Sequence, residues 1–185
     1  MVKKKTCVFI SGAGTNLKAL IKNSNNYNFP ININLVVSDN KSAKGLIIAK
    51  LHKIPCRISN LNNKIHQELL LIDLKERKIS LICLAGFMKI LSKSFINKFK
   101  GKIINIHPSL LPKYKGLNTF SRVLKSKDKL TGCTVHYVDE KLDSGKIILK
   151  KKVYVEREDD ENTLKRKVQK KEYQAFSEAV IKIYN

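Results

Sequence analysis

The 185-residue sequence has no Trp, only four Cys and four Pro, and 15 acidic residues against 37 basic ones. Each shortage excludes something. Cys7, Cys56, Cys83 and Cys133 lie far apart in apolar, strand-like stretches. Neither a CxxC metal pair nor a secreted disulfide framework is indicated, and buried, reduced thiols are expected. His52, His66, His107 and His136 show no HxxxH or HExxH spacing, so no metal site is expected. No apolar run approaches the ~18 residues of a membrane span. Met1 to Lys5 leads straight into a strand pattern without a cleavable apolar segment, so a cytoplasmic chain with no membrane partner is expected. At this length one domain over 1–185 is the default, because domains usually run ~100–200 residues.

The shortage of acid leaves a formal net charge of +22. Only five of the basic residues are Arg (57, 77, 122, 157 and 166), so 32 are Lys. Phosphate and base recognition favours the bidentate fork of Arg. Lys dispersed over every segment, beside abundant Asn and Ile, reads instead as the residue usage of an AT-rich genome. No specific nucleic-acid partner is expected, although such a surface attracts anionic ligands in general.

Hydrophobic patterning alternates between strand and helix. Thr6 to Ile10 is a short β-rich run ending in Ser11-Gly12-Ala13-Gly14, and Thr15 to Lys22 continues with Leu17, Leu20 and Ile21 on one helical face. Ile31 to Val37 and Ile54 to Ile58 read as strands, with a helix over Ala43 to His52 between them. Lys64 to Lys78 reads as an amphipathic helix carrying Ile65, Leu69, Ile72 and Leu74, and Leu81 to Ala85 as a central parallel strand buried on both faces. A short helix near Lys93 to Phe99, a strand over Lys102 to Ile106 and a helix ending at Lys125 follow. Thr131 to Val138 and Lys146 to Val155 then have no helix between them, which makes an antiparallel pair. An acidic cluster at Glu156 to Glu161 precedes a last helix whose stripe is Leu164, Val168, Ala175, Ala179 and Ile183. The pattern predicts an α/β protein with a mostly parallel sheet.

Three segments could carry chemistry. The glycine turn at 11–16 feeds a helix start, where backbone N–H groups and the side chains of Thr15 and Asn16 suit an anion. It lacks the GK[ST] ending of a Walker loop, and Leu17 stands where a dinucleotide fingerprint needs its third Gly. In Asn105-Ile106-His107-Pro108 the period of two puts Asn105 and His107 on one face as a strand ends, which is where open α/β sheets bind ligands. An amide that donates to a carbonyl oxygen beside an imidazole that holds a proton makes an oxyanion and acid arrangement. The third segment is the turn Leu142-Asp143-Ser144-Gly145. Were it folded back on His107, its carboxylate would favour the imidazolium and raise the pKa above ~6.5.

Together SGAGTN at 11–16, LAGFMKIL at 84–91, NIHPSLLPKYKG at 105–116, LDSG at 142–145 and VQKKE at 168–172 resemble the phosphoribosylglycinamide formyltransferases over nearly the whole chain. The resemblance implies a Rossmann-like formyltransferase fold, with helices on both faces of the mostly parallel sheet and an antiparallel strand pair towards the C-terminus. It implies transfer of a formyl group from 10-formyltetrahydrofolate, as cosubstrate, to the amine of glycinamide ribonucleotide in purine biosynthesis. Residue by residue, it makes Asn105, His107 and Asp143 catalytic. It places the ribonucleotide on Gly14, Thr15, Asn16, Gln169, Lys170, Lys171 and Glu172. It lines the folate site with Met88, Lys89, Ile90, Leu91, Asn105, Asp139, Glu140, Lys141, Leu142 and Asp143. In this chemistry Asn105 and a protonated His107 stabilise the tetrahedral oxyanion, and Asp143 keeps His107 charged and oriented. Asn118 and Phe120 stand where the family often carries His, so no substrate contact is expected from 118–120.

Without the resemblance, Met88, Ile90 and Leu91 would be ordinary core residues, and Gln169 and Glu172 a solvated helix face. The alternatives are a tRNA-directed formyltransferase, which needs a further C-terminal domain, and a basic RNA-binding module, which lacks a basic-aromatic motif here. Either a monomer or a homodimer fits the sequence.

Overall fold

Short apolar runs between helical periods build one seven-stranded sheet of order β3-β2-β1-β4-β5-β6-β7. The computed structural model describes residues 2–184. Its backbone divides into two compact units, Met1–Ile104 and Asn105–Asn185.

The first unit holds β1 (Lys4–Ile10), α1 (Thr15–Ser24), β2 (Ile31–Ser38), α2 (Lys44–Leu51), β3 (Cys56–Ile58), α3 (Lys64–Glu76), β4 (Leu81–Leu84) and α4 (Lys93–Lys98). β1 pairs in parallel with β2 on one side and β4 on the other, and β2 pairs in parallel with β3. Every residue of β4 is buried, as its continuous apolar run requires of a strand covered on both faces. The chain runs outward from β1 through β2 to β3 and then returns past β1 to β4. Right-handed crossovers therefore send α1 and α2 to one face and α3 and α4 to the other.

Helix α3 departs from its sequence reading. Ile65, Leu69 and Ile72 are exposed, and the buried face is Gln67, Leu70 and Leu74. The run Leu69-Leu70-Leu71-Ile72 offers apolar residues to more than one face, so periodicity alone cannot set the helix phase. A polar residue sets it. Gln67 donates through Nε2 to the Leu61 carbonyl at 2.6 Å and accepts through Oε1 from Ser92 Oγ at 2.5 Å. A buried amide satisfied at both ends outweighs a few exposed methyl groups.

The second unit runs from the end of β5 (Lys102–His107) through α5 (Thr119–Lys125), β6 (Leu130–Tyr137), β7 (Ile147–Tyr154) and α6 (Glu161–Tyr184). β6 and β7 are antiparallel, as the missing helix between them implies. The acidic stretch before α6 forms a reciprocal cap: Thr163 N–H donates to Asp160 Oδ1 at 2.7 Å, and Asp160 N–H donates to Thr163 Oγ1 at 2.8 Å. Both satisfy donors that a helix start leaves open. Of the expected stripe, Leu164, Val168, Ala175 and Ala179 are buried, whereas Ile183 is half-buried and Phe176 and Val180 take its share of the core.

Cys7, Cys83 and Cys133 are buried free thiols, and burial pushes their pKa values up. Cys56 differs from expectation in being half-exposed. Among the described residues no helix is long and apolar enough to cross a membrane.

Candidate active site

The second unit gathers its polar interior at the end of β5. Asn105 and His107 alternate along that strand on one face, and His107 is its last residue, one further than the sequence pattern placed the strand's end. His107 is 6 % exposed. Its ring donates from Nε2 to the Tyr114 carbonyl at 2.8 Å, an acceptor brought back by the turn 108–114.

That leaves Nδ1, which faces Asp143 Oδ2 at 3.3 Å. Asp143 stands in a loop whose neighbours Asp139 to Leu142 and Ser144 are exposed, yet it is itself only 8 % exposed. Its backbone is left-handed, with φ 47°. Next along, Gly145 packs so tightly on the Tyr137 carbonyl that a Cβ would come within 1.8 Å of its oxygen. The turn thus folds inward at Asp143 and Gly145 while the rest of the loop stays in solvent. Gly116 N–H donates to Asp143 Oδ2 at 2.8 Å and fixes the carboxylate.

His136, on β6, completes the cluster, and the sequence reading gave it no role. It is 2 % exposed, with Nε2 at 3.2 Å from Asn105 Nδ2 and 3.6 Å from Asp143 Oδ1. Its Nδ1 donates to the Tyr137 carbonyl at 2.8 Å, so in the neutral ring Nε2 accepts from the Asn105 amide, and in the protonated ring it faces Asp143 as a donor. One N–H of that amide is thereby held, and the other remains for an incoming acceptor. A signal for His136 existed: as a polar residue six along an apolar strand pattern, it shares a face with Thr134 and Gly132. Thr134 is also buried and bonded, donating to the Ser109 carbonyl at 2.7 Å and accepting from Leu111 N–H at 3.1 Å. These bonds hold the segment after His107 in place.

Asp143 does approach His107 as the sequence reading required, but the net pKa goes the other way. Burial pulls the His107 pKa below 6.5, against the Tyr114 carbonyl and the Asp143 carboxylate, which raise it; His136 and Arg122 add to the lowering. The expectation of a raised value is therefore corrected: desolvation of the imidazolium outweighs the carboxylate. Burial also works against the charged form of Asp143. There it loses to His136, to the Gly116 N–H and to His107, which hold the carboxyl below its ordinary range. The resting pair is an ionised Asp143 beside a largely neutral His107.

In the first unit, the glycine turn follows β1. Gly14 caps α1 with φ 72°, a conformation that favours glycine. It also lies so close to α2 that a Cβ would sit 2.5 Å from Gly45 Cα. Gly45 N–H donates to the Gly12 carbonyl at 3.0 Å. Ser11 Oγ donates to Asp39 Oδ1 at 2.6 Å and accepts from Met88 N–H at 2.9 Å, which ties the loop after β1 to the loop after β4. Thr15 is half-buried and Asn16 is 6 % exposed. Met88 and Ile90 are 64 % and 71 % exposed, so the core role that residue type alone assigns them is overturned. Only Leu91 is buried.

On α6, Lys170 and Lys171 are exposed, Gln169 is half-buried and Glu172 is 7 % exposed. A solvated helix face does not describe Glu172. The structure thus brings together Asn105, His107 and Asp143, adds His136, and keeps Gly14 to Asn16 together in the first unit beside α2.

The sequence matches the family described as Formyl transferase across residues 4–180. The chain belongs to the formyl transferase family. Among relatives of this formyl transferase, the phosphoribosylglycinamide formyltransferase of Haemophilus influenzae is 41% identical over 177 residues, 94% of this chain and 84% of the relative. The human trifunctional purine biosynthetic protein adenosine-3 is 41% identical over 96% of this chain, which spans only 18% of that protein's length. Among solved structures, phosphoribosylglycinamide formyltransferase from Anaplasma phagocytophilum superposes with a TM-score of 0.90 at 40% identity, covering 95% of this chain and 84% of that one. The one from Brucella melitensis gives 0.92 at 38% identity, with 98% and 95% covered. The resemblance carried by the motifs is borne out, and so is the Rossmann-like formyltransferase fold.

Proposed function

We propose that this formyl transferase moves a formyl group from 10-formyltetrahydrofolate to the amine of glycinamide ribonucleotide, with residues 1–185 acting as one catalytic domain. What supports the reading is one family match running from 4 to 180 and relatives of that name. The observation that carries it is the buried contact between His107 and Asp143 beside the Asn105 amide.

In the proposed reaction the substrate amine attacks the formyl carbon, forming a C–N bond and a tetrahedral oxyanion. Asn105 donates its remaining N–H to that oxygen, where a dipole already held in place costs no reorganisation. The amine then sheds a proton, and collapse of the intermediate breaks the bond to N10 of the folate, which takes one up. The pair of His107 and Asp143 holds the proton in between. A resting neutral imidazole can accept it at Nδ1, and the new imidazolium then lies against the carboxylate, 3.3 Å away. Asp143 so acts on the charged state as it forms and leaves the resting state neutral, a division that suits general acid–base work near neutral pH.

In the same reading Gly14, Thr15 and Asn16 hold the ribonucleotide phosphate at the start of α1, and Gln169 to Glu172 reach the same substrate. Met88 to Leu91 and Asp139 to Asp143 line the folate, to which Met88 and Ile90 offer exposed apolar surface. The chain acts in the cytoplasm without a specific nucleic-acid partner. The test is a formyl-transfer assay with purified protein and both substrates. Transfer that needs glycinamide ribonucleotide and is indifferent to added RNA is expected. Transfer only to a charged tRNA would sink the assignment.

A further inference from the structure

A cavity of about 440 Å³ lies in the first unit at the amino ends of the strands. Lys5 at the start of β1, Asn34 of β2, His52 and Lys53 after α2, and Arg77 after α3 line it, and no carboxylate does. The glycine turn follows the other end of β1. Six residues of strand from Lys5 to Ser11 put the two about 20 Å apart.

Cations at helix C-termini have an ordinary use against the helix dipole. That use accounts for His52, Lys53 and Arg77, which follow α2 and α3. It does not account for Lys5, which starts a strand, nor for Asn34. The pairing of β1 with β2 slips between Thr6 and Cys7, so that Ile33 and Leu35 face successive residues of β1 and Asn34 is the extra residue of a bulge. Bulges re-aim a side chain and are uncommon in parallel pairs. Here the bulge delivers an amide whose Oδ1 is buried without a hydrogen-bond partner, a costly state for a native side chain. As it stands Oδ1 is closed to solvent, so a guest bonds this amide only once it turns towards the cavity.

Arg77 is held from behind. Its Nε donates to Asp73 Oδ1 at 2.5 Å, and Asp73 Oδ2 accepts from Arg57 Nη1 at 2.9 Å. Asp73 therefore orients the guanidinium, while the rest of its donor fork stays free of that pair. Lys5 and Lys53 are exposed. The volume exceeds what a bare phosphate fills and falls in the range of small-molecule sites, ~300–1,000 Å³.

We propose that this cavity binds a phosphate monoester carrying hydroxyl or amino donors, the phosphate on Lys5, Lys53 and Arg77 and a donor on Asn34. The cavity shares no residue with those assigned to formyl transfer, and the proposal is independent of that assignment. The test is a titration of the ¹⁵N-labelled protein with AMP in roughly physiological salt, ~0.15 M, which suppresses diffuse attraction to a basic surface. Saturable shifts at the Asn34 and Lys53 amides are expected with AMP and absent with adenosine. The double variant Lys5→Ala/Lys53→Ala should weaken AMP roughly tenfold or more, with the amide spectrum away from the cavity unchanged. Asn34→Ala should weaken AMP and leave orthophosphate unaffected. Shifts confined to residues 12–16, no saturation, or affinity indifferent to the lysine substitutions would each overturn the proposal.

Discussion

The loops that follow β1 and β5 both leave the carboxyl ends of strands, but they are made of different material. After β1, Gly12 and Gly14 present backbone, and a neighbouring helix packs against the turn at a distance only glycine allows. After β5, the working groups are side chains, mostly buried and held by their neighbours: Asn105 bonds His136, Asp143 accepts from Gly116, and His107 lies against Asp143. A backbone site binds charge through many small dipoles and keeps little memory of any one side chain. A side-chain site concentrates its effect in a few titratable atoms whose pKa values the interior sets.

The largest effects should fall on the side-chain site. His107→Ala and Asp143→Asn should each lower kcat by ~10²-fold or more, the scale of lost acid–base or oxyanion stabilisation, as steady-state assays will read. If both variants turn over normally, the concentration of function after β5 is an illusion.

The backbone site should break differently. Gly14→Ala meets both a left-handed φ and the Cα of Gly45, so a loss of ~1–3 kcal/mol in chemical denaturation is expected. Thr15→Ala with Asn16→Ala should mainly raise KM for the ribonucleotide and spare kcat, because the phosphate is remote from the reacting amine. A rise in KM for the folate instead would mean that the two ligands have been placed the wrong way round.

A pH profile sharpens the contrast further. With its folded pKa held below 6.5, the acid limb of kcat/KM that reports His107 should lie below pH 6.5. Asp143→Asn removes an influence that raises that pKa, and should move the limb lower still in whatever activity remains. The sign for stability follows. Below about pH 6.5 the unfolded chain binds more protons at His107 than the native state does. The contribution of a buried neutral His107 is therefore complete above that pH and fades as pH falls towards the depressed value. Urea midpoints of wild type and His107→Ala should converge on acidification. The ionised Asp143, its own pKa lowered, gives way only at still lower pH, beneath the ordinary carboxyl value of ~3.9.

The smallest effect lies away from both loops. Leu69→Ser on α3 should change stability by no more than ~0.5 kcal/mol, the usual range for an exposed position, since Leu69 is 49 % exposed. The phase read from periodicity predicts several kcal/mol instead, so a thermal melt separates the two.

The strand and helix order was legible because apolar runs and glycine turns have local causes. Asn105 and His107 were legible because a period of two puts them on one face. Asp143 was legible as a turn residue, and its burial was not, since that depends on Gly145 fitting against Tyr137 and on the Gly116 amide, contacts made far along the chain. The face of α3 failed for a similar reason: Gln67 sets it through Leu61 and Ser92, and no hydrophobic pattern encodes an amide that is satisfied on both sides. His136 was passed over because a lone histidine in an apolar strand looks like packing until its partners are known. The direction of the His107 pKa depends on how much water the fold removes, a quantity that sequence does not carry.

The bond from the Gly45 N–H to the Gly12 carbonyl also makes a built-in clock. Amides in the first turn of a helix have no partner in their own helix and ordinarily trade their hydrogen with water quickly. This one is closed off by the loop it holds, so its deuterium uptake counts openings of the glycine turn rather than fraying of α2. An anion seated at the start of α1 favours the closed turn and slows that single exchange, without touching the amides of the β5 loop.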